Sequence, residues 1–294
     1  MSQISFVAPP DPEPRTPKAP IPAGACDCHF HVFDGPSPQI AERSYSAPSA
    51  PLSAYRVLQA ALDLDRAVIV QPSIFGTDNR TTMQSMPTDG SVKAIVVFND
   101  QTRLSDLQAM SAQGAVGARL NMLFSSGIRA ENLTKLASVL ADIGWHLQIL
   151  TDVSAQPDLM QRVTDLPVPV VFDHMGHVPT VRGVNDPGFQ ALLRAVECGT
   201  VWVKLSGAYR ITKSSSLDYD DVAPMAKALI SANPDRLVWG SDWPHPAFDG
   251  PMPNDGDLLD LLFDWAGPET ARKILVENPE RLYRFPKWEV QNGS

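Results

Sequence analysis

Eight short apolar runs recur along this 294-residue chain, each followed by a stretch of helical period. The runs cover residues 25–33, 66–72, 92–98, 115–121, 145–150, 168–173, 201–206 and 237–242. Their length and β-branched content mark them as strands, as in Val168-Pro169-Val170-Val171-Phe172. They are apolar almost without interruption, which suits parallel strands covered on both faces. Helices are expected at 52–62, 78–86, 104–113, 131–143, 156–165, 188–198, 221–233, 257–265 and 268–276, with Ser53, Thr77 and Asn185 as N-caps. Segments of that length are what parallel crossovers require. Eight such units predict an α/β fold, a single-domain (β/α)8 TIM barrel. A doubly wound open sheet is the alternative. No Gly-x-Gly-x-x-Gly turn follows an early strand, which weakens its nucleotide-binding form.

The barrel is expected over residues 21–286. Residues 1–20 read as a leader without helix or strand, because Pro9, Pro10, Pro12, Pro14, Pro17 and Pro20 remove donors and favour extended backbone. Residues 287–294 read as a short polar tail. The net charge of −9 argues against a nucleic-acid or anionic-membrane partner, though a few local arginines can still receive a small anion. No apolar run approaches the roughly 20 residues that span a bilayer, and no signal-peptide pattern opens the chain. Cys26, Cys28 and Cys198 are sparse, and the first two lie too near each other in one strand to pair comfortably. A reduced, cytoplasmic protein is the expectation.

Barrel chemistry sits at the C-terminal ends of strands. Polar residues gather there: His29 and His31 on the first run, Gln71 and Ser73 on the second, and Arg119 and Asn121 on the fourth. Asp173 and His174 end the sixth, Ser206 the seventh and Asp242 the eighth. Each would need a partner if buried, so their repetition at one end is costly for a core alone. His29 and His31 point one way by the period of two, toward either a metal or a substrate oxygen. Asp27 shares that face and could orient an imidazole, whereas Cys28 faces away. Asp242, beside imidazoles, reads as a general base or as a turn residue before Pro244. Arg119 reads as a clamp on a carboxylate or as a structural ion pair with Asp152 or Asp173. Arg210 has the same two readings. Tyr45 lies in a loop suited to substrate contact, and Asn121 and His245 count as further contacts. His146 opens the fifth strand and reads as structural.

Asp27-Cys28-His29-Phe30-His31, Asp173-His174-Met175-Gly176, Trp239-Gly240-Ser241-Asp242-Trp243-Pro244-His245 and Glu277-Asn278-Pro279-Glu280-Arg281-Leu282-Tyr283 together resemble the amidohydrolase superfamily. Arg43-Ser44-Tyr45 and the stretch from Val70 to Asn79 are similar to its 2-pyrone-4,6-dicarboxylate lactonase-like branch. The resemblance runs from about residue 24 to 285 and implies a distorted (β/α)8 barrel that hydrolyses a lactone. It places the eighth-strand Asp on Asp242, the His-x-His pair on His29 and His31, and the sixth-strand His on His174. Substrate-binding positions fall on Tyr45, Ser73, Arg119 and Arg210. A basic residue that the dicarboxylate lactonase carries shortly after Arg119 is absent from Leu123-Phe124-Ser125-Ser126, and His177 replaces an Arg. Fewer cations favour a monocarboxylate, sulfonated or sugar-acid lactone.

Many members of the superfamily bind zinc or a related ion. Here Arg119-Leu120-Asn121 offers no bridging Lys or Glu, and Leu150-Thr151-Asp152 offers no His, which disfavours a binuclear site. A single divalent ion, Zn or Mn, on His29, His31 and Asp242 is one expectation. A metal-free site, with no cofactor, is the favoured one. The expected activity is hydrolysis of a small anionic lactone from aromatic or sugar-acid breakdown, with Asp242 as base and His31, His174 and His29 as donors to the oxyanion. The alternatives are lactone isomerisation, metal-dependent decarboxylation and a non-catalytic organic-acid-binding barrel.

Overall fold

A computed structural model describes residues 5–123, 133–156 and 158–289. All eight apolar runs form strands: β1 Cys26–Phe30, β2 Arg66–Val70, β3 Val92–Val96, β4 Ala115–Asn121, β5 His146–Leu150, β6 Val170–Phe172, β7 Val201–Leu205 and β8 Leu237–Trp239. They are parallel and adjacent in sequence order from β1 to β8. Between the two edge strands the barrel is joined just beyond the end of β8. There Asp242 N donates to His29 O at 2.7 Å, and His31 N donates to Trp243 O at 2.8 Å. Asp27 clamps the same seam, accepting from Ser241 N at 2.9 Å and Ser241 Oγ at 2.6 Å. The result is a nearly closed, distorted (β/α)8 TIM barrel.

Inside the barrel, Cys26, Cys28, Val68, Val70, Ile95, Val171, Trp202 and Val238 share one buried cluster with Leu282, Tyr283 and Phe285. Asp27 and Phe30 turn outward instead, to Tyr55 on helix Leu52–Ala61. The Phe30 ring stacks on Tyr55 at 3.6 Å between centroids, and the Tyr55 hydroxyl donates to Asp27 Oδ2 at 3.1 Å. The register with β2 shifts between Asp27 and Phe30, a bulge that brings both Cys28 and His29 to the interior. Strict alternation predicted Asp27 on the histidine face and Cys28 opposite it, and the bulge reverses both. Lys204 Nζ donates to Cys28 O at 2.9 Å, inside the barrel.

The helices lie where expected, with shifted ends. Helix Pro187–Glu197 is capped by Asp186, one residue after the predicted Asn185, because the Asp186 carboxylate accepts from Gly188 N and Phe189 N. Pro51 and Asn79 stand at the cap positions predicted for Ser53 and Thr77. The predicted segments 257–265 and 268–276 are one element, Asp255–Arg272, broken by Gly267 at φ 72° and continued to Tyr283. Residues 131 and 132 of the fourth predicted helix, most of 123–126 and the end of the tail lie outside the described residues.

The leader is not wholly without strand, since Ser5–Phe6 pairs with Tyr45–Ser46. Further along, Arg15 N donates to Asn254 Oδ1 at 3.0 Å, and Lys18 N donates to Asp260 Oδ1 at 2.8 Å, at the start of helix Asp255–Arg272. A Cβ on Gly256 would lie 2.1 Å from Arg15 O. Gly256→Ala therefore pushes the leader off the barrel. The expected loss is about 1–3 kcal/mol in denaturant unfolding, the range for overpacking. Limited proteolysis should show faster cleavage between residues 11 and 18, and an unchanged digestion rate would contradict this docking.

Candidate active site

The bulge in β1 sets the first two side chains. His31 Nδ1 lies 2.7 Å from Val70 O. A carbonyl can only accept, so the proton sits on Nδ1 and the neutral ring turns the Nε2 lone pair into the site. His29 Nδ1 lies 3.3 Å from both Asp173 Oδ1 and Lys204 Nζ. The two Nε2 atoms are 3.3 Å apart.

Asp242 enters from the seam in a left-handed conformation, φ 63°. Its Oδ2 accepts from Tyr209 OH at 2.6 Å and from Arg210 Nε at 2.5 Å. Its Oδ1 has no hydrogen-bond partner among the described residues and lies 3.6 Å from Nε2 of His29 and of His31. His174 completes the group, with Nε2 3.6 Å from Asp242 Oδ2 and Nδ1 2.9 Å from Ser206 Oγ. Gly207 leaves room for that ring, since a Cβ there would sit 2.9 Å from His174 Nδ1. His174, Met175, Gly176 and His177 all have φ between 51° and 71°. This left-handed turn aims His174 and His177 into the same pocket.

Below the imidazoles lies a buried charge network. Asp173 Oδ2 accepts from Arg119 Nε at 3.2 Å and Gln148 Nε2 at 3.1 Å, and Lys204 Nζ is 3.4 Å from its Oδ1. Lys204 also donates to Gln148 Oε1 at 2.8 Å. Burial alone would raise the Asp173 carboxyl, but Lys204 and then Arg119 outweigh it and hold it well below the usual carboxylate range. Asp242 behaves alike: the Arg210 guanidinium on its Oδ2 overcomes its burial and keeps it ionised. Burial, then Lys204, brings His29 down to about 3. Burial also lowers His31 and His174, so all three imidazoles are neutral at pH 7.

Burial lowers His146 and His177 too. Folded imidazoles with depressed values refuse protons that the unfolded chain takes up near its ordinary 6.5. The sign follows: the fold keeps its stability above 6.5 and loses it as pH falls below that value. A lower denaturation midpoint at pH 5.5 than at pH 7 is the expected result, and an equal one would contradict the burial of these rings.

The pocket is lined by Tyr45, Ser73, Arg119, Asn121, His31, His174, His177, Arg210 and Asp242. Tyr45 is hydrogen-bonded to Ser73. Eight of the side chains singled out from the sequence thus line one cavity. His29 lies just beneath it, touching His31 and Asp242. His245 does not line it: fully buried, it sits behind Tyr209, with Nδ1 3.0 Å from the hydroxyl. Asp27 orients no imidazole and serves the seam. Arg119 and Arg210 face the pocket while paired to Asp173 and Asp242.

The sequence reading does not find Lys204, Gln148 or Tyr209. The signal for Lys204 was present, a charged residue in the middle of an apolar strand that a core would not tolerate unpaired.

A cation fits the donor set. His29 Nε2, His31 Nε2 and Asp242 Oδ1 are 3.3–3.6 Å apart, about the spacing of atoms bound to one tetrahedral zinc at about 2.0–2.2 Å. The far nitrogens are held by Asp173 and by Val70 O, as metal-bound imidazoles usually are. Moreover, an ionised oxygen without a donor faces a lone pair, and a cation or a donating water relieves both. A second ion on His29, Asp173 and His174 is opposed by the Lys204 ammonium beside Asp173.

The family model described as amidohydrolase matches residues 26–285. A 4-sulfomuconolactone hydrolase of Hydrogenophaga intermedia is 38% identical over 90% of this chain and 89% of its own. A 2-pyrone-4,6-dicarboxylate hydrolase of Comamonas testosteroni is 35% identical over 92% of this chain and 93% of its own. A D-galactarolactone isomerase of Agrobacterium fabrum is 29% identical over 92% of this chain and 94% of its own.

Proposed function

The chain belongs to the amidohydrolase family, and from that premise we propose that it hydrolyses a small lactone carrying one acidic group. One observation carries the reading. The ionised Asp242 turns its single unpartnered oxygen to two neutral imidazoles in a pocket that also holds two guanidinium groups.

In this mechanism Asp242 Oδ1 accepts a proton from water, whose oxygen attacks the ring carbonyl. His31 Nε2 can accept a hydrogen bond from the other O–H of that water and so aim the attack. It cannot donate to the oxyanion, because its proton is committed to Val70 O. That task falls to His174, whose Nε2 can carry a proton when Nδ1 accepts from Ser206 Oγ. The carbonyl–ring-oxygen bond then breaks, and the proton on Asp242 passes to the leaving oxygen. Arg119 and Arg210, with Tyr45 and Ser73, hold the acidic group. A divalent ion held by His29, His31 and Asp242 would, when bound, acidify the attacking water and polarise the carbonyl.

The test is incubation with carboxylated, sulfonated and sugar-acid lactones, with products identified by NMR. The ring-opened hydroxy acid is expected for at least one of them. A rearranged lactone as the sole product would replace hydrolysis with isomerisation, the reaction named for the Agrobacterium relative. Tyr45→Phe tests the acid-holding role. Losing one hydrogen bond to a charged group, about 1.5–3 kcal/mol, lowers kcat/KM about tenfold to a hundredfold, mostly through KM. An unchanged KM for the anionic lactone would remove Tyr45 from the binding site.

A further inference from the structure

We propose that Tyr209 and His245 form a buried positioning chain. It fixes the rotation of the Asp242 carboxylate, so that Oδ1 rather than Oδ2 meets the attacking water. The proposal rests on the reading of Asp242 as the base.

The direction of each bond follows from its partners. The ionised Asp242 can only accept, so the single hydroxyl proton of Tyr209 goes to Oδ2, at 2.6 Å. The phenol oxygen is then an acceptor, and the His245 Nδ1 proton points to it across 3.0 Å. An imidazole whose one proton is on Nδ1 has none on Nε2 to give Asp255 Oδ2, 3.4 Å away, so the chain ends at His245. Asp242, Tyr209 and His245 are all buried, so water does not compete for these bonds.

The backbone is bent to make this contact. His245 N donates to Asp242 O at 2.8 Å, closing a tight turn whose two ends, Asp242 at φ 63° and His245 at φ 61°, are both left-handed. Such a conformation persists in a non-glycine residue where its surroundings over-determine it. Here the two strained residues aim their side chains at one hydroxyl brought in by the short helix Ala208–Ile211 after β7. Arg210 Nε holds the same Oδ2, but it also faces the pocket, where a substrate's acidic group competes for it. Tyr209 is sealed off from that competition and keeps Oδ2 engaged while substrate binds.

The experiment is steady-state kinetics on the hydrolysed lactone with the full-length protein, using thermal melting to confirm folding. Tyr209→Phe removes only an oxygen and is expected to lower kcat about a hundredfold, the scale of a small misplacement of a reacting group, with KM within about twofold. His245→Leu should lower kcat alike, and the double variant should lose no more than either single one. His245→Asn keeps an N–H near the Nδ1 position and should recover at least about tenfold over His245→Leu. A rise in KM with unchanged kcat would make these residues substrate contacts and overturn the proposal. So would losses that multiply in the double variant. If His245→Leu does not fold, Tyr209→Phe and the pair Tyr209→Phe with His245→Asn decide the matter. Asp242→Asn is the control: if it keeps turnover, the reading of the base fails, whereas an inactive Asp242→Asn beside a fully active Tyr209→Phe sinks the chain alone.

Discussion

Asp242→Asn is expected to lower kcat/KM by about 10³–10⁴, the upper range for loss of a general base. The substitution keeps the shape and one acceptor for Tyr209 OH and Arg210 Nε, so the barrel stays assembled. What disappears is the charge on Oδ1. An amide there either cannot take a proton from water or points an N–H₂ at the two Nε2 atoms. Kinetics on the hydrolysed lactone, with circular dichroism on the same sample, checks the result. A folded variant with near-normal turnover would move the base to another group. The depressed proton affinity of Asp242 sets a second condition. A carboxylate held so firmly by Arg210 is a weak base, and chelator treatment tests whether an ion on His29, His31 and Asp242 assists it: a loss of activity restored by zinc or manganese would replace the metal-free reading of the site. Full activity in a metal-depleted sample would leave Asp242 and the imidazoles to do the work alone.

Lys204→Met should produce the largest loss of stability. Removing one partner from a buried ionic network costs about 3–5 kcal/mol. Here the lower end is expected, because Arg119 and Gln148 still hold Asp173 Oδ2. The carbonyl of Cys28 and the Gln148 Oε1 lose their donor and contribute to the cost. Activity should fall further than stability alone explains, since the lysine sits beside His29 Nδ1 and caps the carbonyl at the bulge that turns that ring inward. A denaturation midpoint within error of the parent would show that methionine packs as well as the charge network.

The barrel was legible because parallel strands buried on both faces are nearly unbroken apolar runs, and here eight of them alternate with helix-period stretches long enough to be crossovers. Much of the site was legible for a related reason: a polar residue at the end of such a run has no core role to play. That rule also had a blind side. Lys204 and Gln148 lie inside strands, so a rule about strand ends passes over them, although a lone lysine among Val201, Trp202, Val203 and Leu205 carries its own signal. The bulge after Asp27 has no glycine or proline to announce it. Alternation therefore put Asp27 and Cys28 on the wrong faces while still placing His29 and His31 together. Tyr209 and His245 depend on a loop and a left-handed turn whose course is set by tertiary contacts. So the sequence marked His245 as polar and near the site but not as turned away from the pocket.

The seam of the barrel has a consequence for the order of synthesis. Asp27 and its partner Ser241 are 214 positions apart, and the bonds that close the barrel run through the backbone of His29, His31, Asp242 and Trp243. As a chain leaves the ribosome, both imidazoles emerge well before the carboxylate they wait for. No product ending before Asp242 can turn over substrate or hold an ion between the three groups. Activity therefore requires synthesis to have passed Asp242: a nascent or truncated protein ending before it is expected to be inert, however much of its helical shell has formed.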